Sequence, residues 1–143
     1  MLVLYYCIST VIQIRSDAMS IRFESGKPIF LQIEELIRND IAAGRYKPDE
    51  KLPGVRDLAI WANVNPNTMQ KALSDLEEEG LIVTRGTSGK FVCNDPERIA
   101  EAKKKIIADL AKEFKNKCHR IGVSPSEVAA LLSEEESTER NED

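Results

Sequence analysis

The chain has 143 residues, 42% of them hydrophobic and 31% charged, which is the composition of a globular protein and too short for a large multidomain enzyme. Twenty Lys and Arg against 24 Asp and Glu leave a net charge of -4, which excludes a protein that coats nucleic acid through overall positive charge. Any nucleic-acid site must therefore be local.

Neither metal nor catalytic chemistry is indicated by the sequence. Cys7, Cys93 and Cys118 form an odd set without a CxxC pair, which argues against a zinc cluster or a disulfide framework. The single histidine, His119, follows Cys118, and we interpret this pair as helix-end residues. No nucleophile elbow, Walker-type phosphate loop or HExxH motif is present. We therefore expect a non-enzyme with no cofactor and no metal, in a reducing cytoplasm.

Residues 1–18 form an apolar, β-rich extension before Met19. The segment has no Lys or Arg ahead of its apolar run, unlike a secretory signal, and it is shorter than the roughly 20 residues of a membrane span. We interpret it as an upstream-start extension or an added β-segment that pairs with a sheet edge or a neighbouring chain. A signal or membrane anchor is the alternative, and we expect no membrane partner.

Three helices are predicted before residue 80. The first covers residues 28–43, is stopped by Gly44, and is followed by a structured loop at residues 45–53. Asn65 is suited to cap the third helix, with Pro66 in its first position and Gly80 after its end. The second and third helices, joined by about four residues, have the outline of a helix-turn-helix. The predicted buried stripes are Phe30, Ile33, Ile37 and Ile41, then Val55, Leu58, Ala59 and Ala62, then Met69, Ala72, Leu73 and Leu76.

After Gly80 the pattern becomes extended, with LIVTR and KFVC joined by the glycine-bounded turn GTSG. Three helices followed by a hairpin predict a winged helix-turn-helix, which we place at residues 19–94. The predicted fold is mostly α with this small β-hairpin, followed by a short C-terminal helical dimerisation region at residues 95–133. An acidic disordered tail is expected at residues 134–143.

The C-terminal region is predicted to contain two helices. A long helix runs from Pro96 to about Cys118, and a capping box from Ser124 to Glu127 starts a short one. Their apolar stripes are not covered by either helix alone, and symmetric pairing of two chains would bury them. The predicted dimerisation residues are Ile99, Ala102, Ile106, Leu110, Phe114, Val128, Leu131 and Leu132.

The third helix presents a polar face opposite its apolar stripe. Gln and Lys on such a face suit the DNA major groove, where Gln pairs with adenine and Lys with guanine or phosphate, although a solvated helix face has the same composition. The wing segment TRGTSGK favours the DNA interpretation, because it has two cations and two glycines and no acid. Arg56 is a further candidate phosphate contact, unless it pairs with Asp57 or Glu35. The candidate DNA-binding residues are Arg56, Asn65, Asn67, Thr68, Gln70, Lys71, Arg85, Thr87, Gly89 and Lys90.

The net charge of the domain argues against DNA binding, because residues 20–95 carry 10 basic and 12 acidic side chains. A winged-helix module that binds protein rather than DNA is therefore the competing interpretation. Residues 98–120 carry 8 basic and 3 acidic side chains, which indicate either the solvated side of the long helix or contacts to flanking phosphates.

The stretches AGRYKPDEKLPGVRDLA, VNPNTMQKALSDLEEEGLI and RGTSGKFV together resemble the DNA-binding domain of the GntR family of bacterial transcription regulators. The resemblance covers about residues 28–93, and the form LPxVRxLA with VNPNT resembles the small YtrA-type subfamily. The region after the wing, about 50 residues, is too short for the family's larger effector domains or an aminotransferase-like domain.

The resemblance implies a cytoplasmic repressor that binds an inverted-repeat operator as a homodimer, often near ABC transporter genes, with a possible small-molecule effector. It places Arg56 on the family's DNA-contacting arginine, Asn67 and Thr68 at the start of the recognition helix, and Gly89 on the wing-tip glycine. Two positions depart from the family pattern. Gly54 replaces a frequent serine, which removes one expected phosphate contact, and Pro66 replaces an arginine, which shifts base reading toward Asn67, Gln70 and Lys71.

Overall fold

The computed structural model describes residues 21–139. The predicted extension at residues 1–18 and the last four residues of the acidic tail lie outside the described residues. The chain divides into two compact units after Lys103. In chain order the elements are α1 (Ile29–Ala42), α2 (Val55–Ala62), α3 (Pro66–Glu78), β1 (Ile82–Arg85), β2 (Gly89–Val92), α4 (Pro96–Ile121) and α5 (Pro125–Glu139). The predicted fold, mostly α with a small hairpin, is confirmed.

Helix α1 forms where an apolar residue recurs every three or four positions. Ile33, Ile37 and Ile41 are buried on its inner face, and Phe30 is partly buried against the same core. The helix ends before Gly44, whose φ of +75° is a conformation that glycine adopts at little cost. Pro28 stands immediately before the helix rather than in its first turn.

Helices α2 and α3 form the predicted helix-turn-helix. Leu58, Ala59 and Ala62 of α2 are buried, while Val55 packs at the edge of the core. The turn uses Asn63 in the left-handed region at φ 52°, which asparagine tolerates better than most residues. Residue Val64 then donates its N–H to the Ala59 carbonyl at 3.0 Å, which reverses the chain tightly enough for α3 to start at Pro66.

The first unit closes around the apolar face of α3. The four predicted residues of that face, from Met69 to Leu76, are all buried, and α1 packs against this helix. The hairpin follows in antiparallel register, with Thr84 opposite Lys90. The loop at residues 45–53 adds to the same sheet, since Leu52 donates its N–H to the Lys90 carbonyl at 2.9 Å. Its Tyr46 and Leu52 side chains are buried, so the predicted structured loop belongs to the core.

The start of α4 belongs to the first unit. Asp95 caps it through Oδ1, which accepts the N–H groups of Glu97 and Arg98 at 3.1 and 3.2 Å. Ile99 and Ala102 pack against the core of the first unit. The prediction that these two residues lie on a fully exposed stripe therefore needs correction, because each is partly buried against the winged domain.

The last two helices are longer than predicted. Helix α4 continues to Ile121, and α5 continues to Glu139, past residue 133 where we expect a disordered tail to begin. The reason is the residue type, since Glu is a good helix former and an acidic run alone does not stop a helix. The predicted capping box is present, with Glu127 Oε2 accepting the Ser124 N–H at 2.8 Å. None of the helices between residues 21 and 139 has the length and apolar character needed to cross a membrane.

Candidate nucleic-acid interface

The recognition helix α3 begins with a side-chain cap. Asn65 is in an extended conformation, and its Oδ1 accepts the Asn67 N–H at 2.8 Å, with Pro66 in the first helical turn. Because a capping oxygen satisfies one of the free N–H groups of a helix start, Asn65 fixes where α3 begins. Its predicted role in DNA contact is therefore limited to the amide nitrogen of the side chain.

The outer face of α3 is polar, as the sequence predicts. Asn67, Gln70 and Lys71 are exposed and Thr68 is half-buried, while the core residues of the helix face inward. The Gln70 amide donates to Ser74 Oγ at 3.3 Å, one turn further along. This bond orients Gln70 along the helix and leaves its side-chain oxygen available as an acceptor.

Lys71 is held in place on the exposed face. Its Nζ lies 2.9 Å from Asp75 Oδ2 and 4.4 Å from the centre of the Phe30 ring. The hydrogen bond from Lys71 keeps the pKa of Asp75 below its ordinary value, and the same bond raises the pKa of Lys71. Both residues are therefore charged at neutral pH, and a phosphate or base that binds Lys71 competes with Asp75.

Beneath this pair lies Glu34 of α1, whose side chain is 8% exposed. Burial and the neighbouring Asp75 raise the pKa of Glu34, while Arg38, 3.6 Å away, lowers it. Arg38 also donates to Glu79 at 3.1 Å and so ties α1 to the end of α3. Asp75 and Glu79, near the C-terminal end of α3, thus serve contacts within the domain, which reduces the negative field that they project outward.

The wing cations have partners from other parts of the chain. Arg85 is 45% exposed, pairs with Asp49 of the loop before α2, and lies 4.6 Å from the centre of the Phe91 ring. Lys90 points inward instead, with its side chain 16% exposed and its Nζ 2.7 Å from Glu77 Oε2. In the structure the partly buried ion pair with Glu77 engages Lys90, and a direct contact of Lys90 with phosphate stays a prediction.

The tip of the wing leaves its backbone accessible. Thr87 is exposed, and Gly89 has a φ of +117°, a conformation that side chains rarely adopt. A Cβ at Gly89 would also lie 3.2 Å from Cε of Lys51, so both backbone and space favour glycine here. Lys51 therefore lies beside the wing, although its sequence position does not predict a cation there.

Arg56 occupies the first turn of α2 and is exposed. Among residues 21–139 it forms no ion pair, and Glu35 pairs with Lys27 at 2.9 Å instead. The salt-bridge alternative is therefore not observed. Arg56 lines a shallow apolar depression at the helix-turn-helix turn, with Ile60, Asn63 and Pro66.

Three residues of this surface are not identified from the sequence: Asp49, Lys51 and Glu77. Their partners lie far away along the chain, 36 residues for Asp49 and Arg85. The signal that could have located them is the pairing of the loop with the wing, where Lys51 forms a β-bridge to Phe91. No set of three or more His, Cys, Asp or Glu side chains in the described range is arranged to hold a metal.

Comparison with known proteins agrees with this geometry. Residues 30–92 match the model of the bacterial regulatory proteins of the gntR family. The HTH-type transcriptional regulator YhcF of Bacillus subtilis is 34% identical over 110 residues, covering 77% of this chain and 91% of that protein. The HTH-type transcriptional repressor YtrA of the same organism is 33% identical over 111 residues, covering 77% of this chain and 85% of that protein.

A solved structure agrees as well. A GntR family transcriptional regulator from Listeria monocytogenes superimposes with a TM-score of 0.72 at 33% identity, covering 78% of this chain and 98% of that chain. The match therefore extends past the winged domain into the C-terminal helices. The chain belongs to the gntR family of bacterial regulatory proteins and is a transcriptional regulator with a winged-helix DNA-binding domain, not an enzyme.

Proposed function

We propose that the chain is a homodimeric repressor that binds an inverted-repeat operator in the bacterial cytoplasm. The observation that carries the proposal is the exposed start of α3 with Asn67, Gln70 and Lys71, together with the exposed Arg56, which forms no ion pair within residues 21–139. Such a helix start fits the major groove, where its side chains reach base edges. Arg56 and the wing would then contact phosphates on either side.

The second unit supplies the surface for dimerisation. Leu110 of α4 and Leu131 and Leu132 of α5 are 61%, 60% and 54% exposed, and Ile107 is 56% exposed beside them. Exposed large apolar side chains on consecutive helices favour burial against a second copy, because an isologous pairing covers the same surface on both chains. Ile106, Phe114 and Val128 are partly buried and lie on the same two helices.

A dimer of this kind reads two half-sites. Two recognition helices on one face of the duplex require half-sites about one helical turn apart, roughly 34 Å, or a multiple of that distance. The relatives named as repressors, YtrA and NagR of Bacillus subtilis, support repression as the output. By the YtrA-type resemblance we propose ABC transporter genes as the regulated set.

A small-molecule effector, if the regulator has one, would act on the dimer. A ligand shifts DNA binding only by its different affinity for two arrangements of the two recognition helices. We therefore expect an effector to alter the spacing or order of the dimer rather than to block the contact residues.

The second candidate is a winged-helix module that binds protein. It is favoured by the pairing of Lys71, Arg85 and Lys90 with carboxylates in the structure. Exposed ion pairs contribute little to stability, however. When a lysine or arginine leaves such a pair to contact a phosphate, the counterions released from the DNA compensate for the lost pair. We therefore prefer DNA as the partner.

Charge reversal distinguishes the two candidates. The full-length protein is titrated into a labelled duplex from upstream of its own operon and into a scrambled duplex, with anisotropy measured at two salt concentrations. DNA binding predicts that Lys71→Glu and Arg85→Glu each weaken binding by at least about tenfold, and that affinity falls with salt. Unchanged binding in both variants would favour the protein-binding module.

The control is Lys115→Glu, which reverses an exposed charge on α4. If the basic run of α4 is only its solvated side, this variant binds the operator like the wild type. A loss as large as that of Lys71→Glu would instead show that α4 touches flanking phosphates.

A further inference from the structure

Glu77 lies where the recognition helix meets the wing. It is in the last turn of α3, and its Oε1 accepts the backbone N–H of Thr84 at 2.9 Å. Its Oε2 accepts from Lys90 Nζ at 2.7 Å, and Lys90 Nζ also donates to Thr84 Oγ1 at 2.9 Å. One carboxylate therefore holds both strands of the hairpin.

The contact differs from an isolated surface ion pair. Thr84 and Lys90 are opposite each other in the hairpin, so the two donors reach Glu77 from adjacent strands. The hydrogen bonds from Lys90 and then Thr84 lower the pKa of Glu77 from 4.5 to about 2, so it is ionised throughout the physiological range. A charge-assisted contact with two donors and little solvent around the lysine resists screening better than an exposed pair does.

The outer half of the hairpin depends on such an anchor more than its base does. Ile82 and Val92 at the base are buried, and the loop at residues 45–53 pairs with β2, whereas two strands of four residues each are marginal in water on their own. Thr84 to Ser88 are all exposed, so the outer half of the wing has little apolar burial to hold it. Arg85 itself is held by Asp49 and by the Phe91 ring, and the Glu77 contact links the two strands that carry this arrangement to the recognition helix.

We infer that Glu77 is a positioning residue that fixes the wing to the recognition helix, so that Arg85 and the start of α3 reach the duplex as one rigid surface. This inference rests on the proposed function in DNA binding. Lys90 then acts through Glu77 rather than by contacting phosphate itself.

The direction in which one substitution changes operator affinity tests the inference. Removal of a negative charge from a DNA-binding domain ordinarily tightens binding, because less repulsion of the phosphates remains. Glu77→Gln removes the charge and leaves one acceptor oxygen for two donors, so it breaks the ion pair with Lys90, and we expect it to weaken operator binding by about tenfold. If Lys90 were a direct phosphate contact merely masked by Glu77, Glu77→Gln would tighten binding and overturn the inference.

The matched control is Glu78→Gln. Glu78 is the next residue of α3, is exposed, and its side chain makes no hydrogen bond within residues 21–139. The substitution removes the same charge at nearly the same place, and we expect equal or tighter binding. An equal loss in both variants would overturn the inference.

A double-mutant cycle separates positioning from simple loss of stability. If Glu77 fixes the wing, Arg85→Ala lowers operator affinity by a larger factor in the wild type than in the Glu77→Gln background, because the wing is already displaced in that background. An effect of Arg85→Ala that is the same in both backgrounds would contradict a positioning role. Should Glu77→Gln fail to fold, Lys90→Met removes the same ion pair while keeping the apolar stem, and the same cycle applies.

A measurement without DNA keeps the inference separate from the proposed function. Amide hydrogen exchange of Thr84 in the free, full-length protein should be about tenfold faster in Glu77→Gln than in the wild type and in Glu78→Gln. Unchanged exchange at Thr84 would overturn the clamp even if operator binding is confirmed. Failure of the wild type to bind the operator, with exchange at Thr84 accelerated as expected, would instead count against the proposed function alone.

Discussion

Leu73 and Leu131 are the same residue type on helices of similar length, yet Leu73 is 1% exposed and Leu131 is 60% exposed. Leu73 belongs to α3, whose apolar face is enclosed by α1, α2 and the wing. Leu131 belongs to α5, in a unit whose described residues leave several large apolar side chains at the surface. The first unit buries its apolar side chains within one chain, whereas the second leaves apolar side chains exposed that a second chain can bury.

The largest expected effect is on the folding of the first unit. Leu73→Ala removes a fully buried side chain and should lower the free energy of unfolding by about 2–5 kcal/mol. Leu131→Ala, at protein concentrations too low for dimers, should change it by less than about 0.5 kcal/mol. Urea denaturation followed by far-UV circular dichroism, which reports the helices of both units, measures both. Similar losses in the two variants would contradict the contrast between the units.

The next effect is on dimerisation. Leu110→Glu combined with Leu131→Glu places charges on the exposed apolar surface and should convert the protein to monomers in sedimentation experiments. Operator affinity should then fall by about a hundredfold, because the second half-site no longer binds at high effective concentration. Lys112→Glu adds an acid to the polar side of α4 and should leave both quantities unchanged. Retention of the dimer in the double variant would show that this surface is not the dimer interface.

A smaller effect is expected at the phosphate contacts. Arg56→Ala should weaken operator binding by about tenfold and reduce the salt dependence by about one phosphate contact. Arg45→Ala is the control, because Arg45 follows α1 and is not among the proposed DNA-binding residues. A normal salt dependence in Arg56→Ala would show that the unpaired guanidinium does not reach the DNA backbone.

The smallest effect concerns pH. The pKa of Glu77 is about 2 in the folded protein against an ordinary 4.5, so the unfolded chain binds this proton more readily. Its contribution to stability is complete above about pH 4.5 and is lost as the pH falls toward 2. Acid denaturation of Glu77→Gln should therefore show a weaker dependence on pH over this range than the wild type does. Identical pH profiles would indicate that the carboxylate is not held by Lys90 and Thr84.

Local rules were enough to predict the helices of the first unit. Asn65 and Pro66 mark the start of α3, and the spacing from Met69 to Leu76 identifies its buried face, because both signals lie within one helix. The same periodicity misplaced Ile99 and Ala102, since a stripe on α4 does not reveal that its first turns pack on the winged domain.

The site was predicted in outline but not in its electrostatics. The outward residues of α3 and the exposed Arg56 follow from residue type and position. The inward turn of Lys90 does not, because its partner Glu77 lies on another element, 13 residues away. In the composition Glu77 is one more negative charge that opposes DNA binding. In the structure it contacts Thr84 and Lys90 and holds the wing.

The most direct test of the account is a hydroxyl-radical footprint of the full-length protein on its upstream DNA. Two recognition helices in one dimer predict two protected patches on one face of the duplex, related by symmetry and about 34 Å or a multiple apart. The Leu110→Glu, Leu131→Glu double variant should lose both patches at the same concentration. A single patch in the wild type, or an unchanged footprint in the double variant, would contradict a division of the chain into a unit that reads DNA and a unit that recruits a second copy.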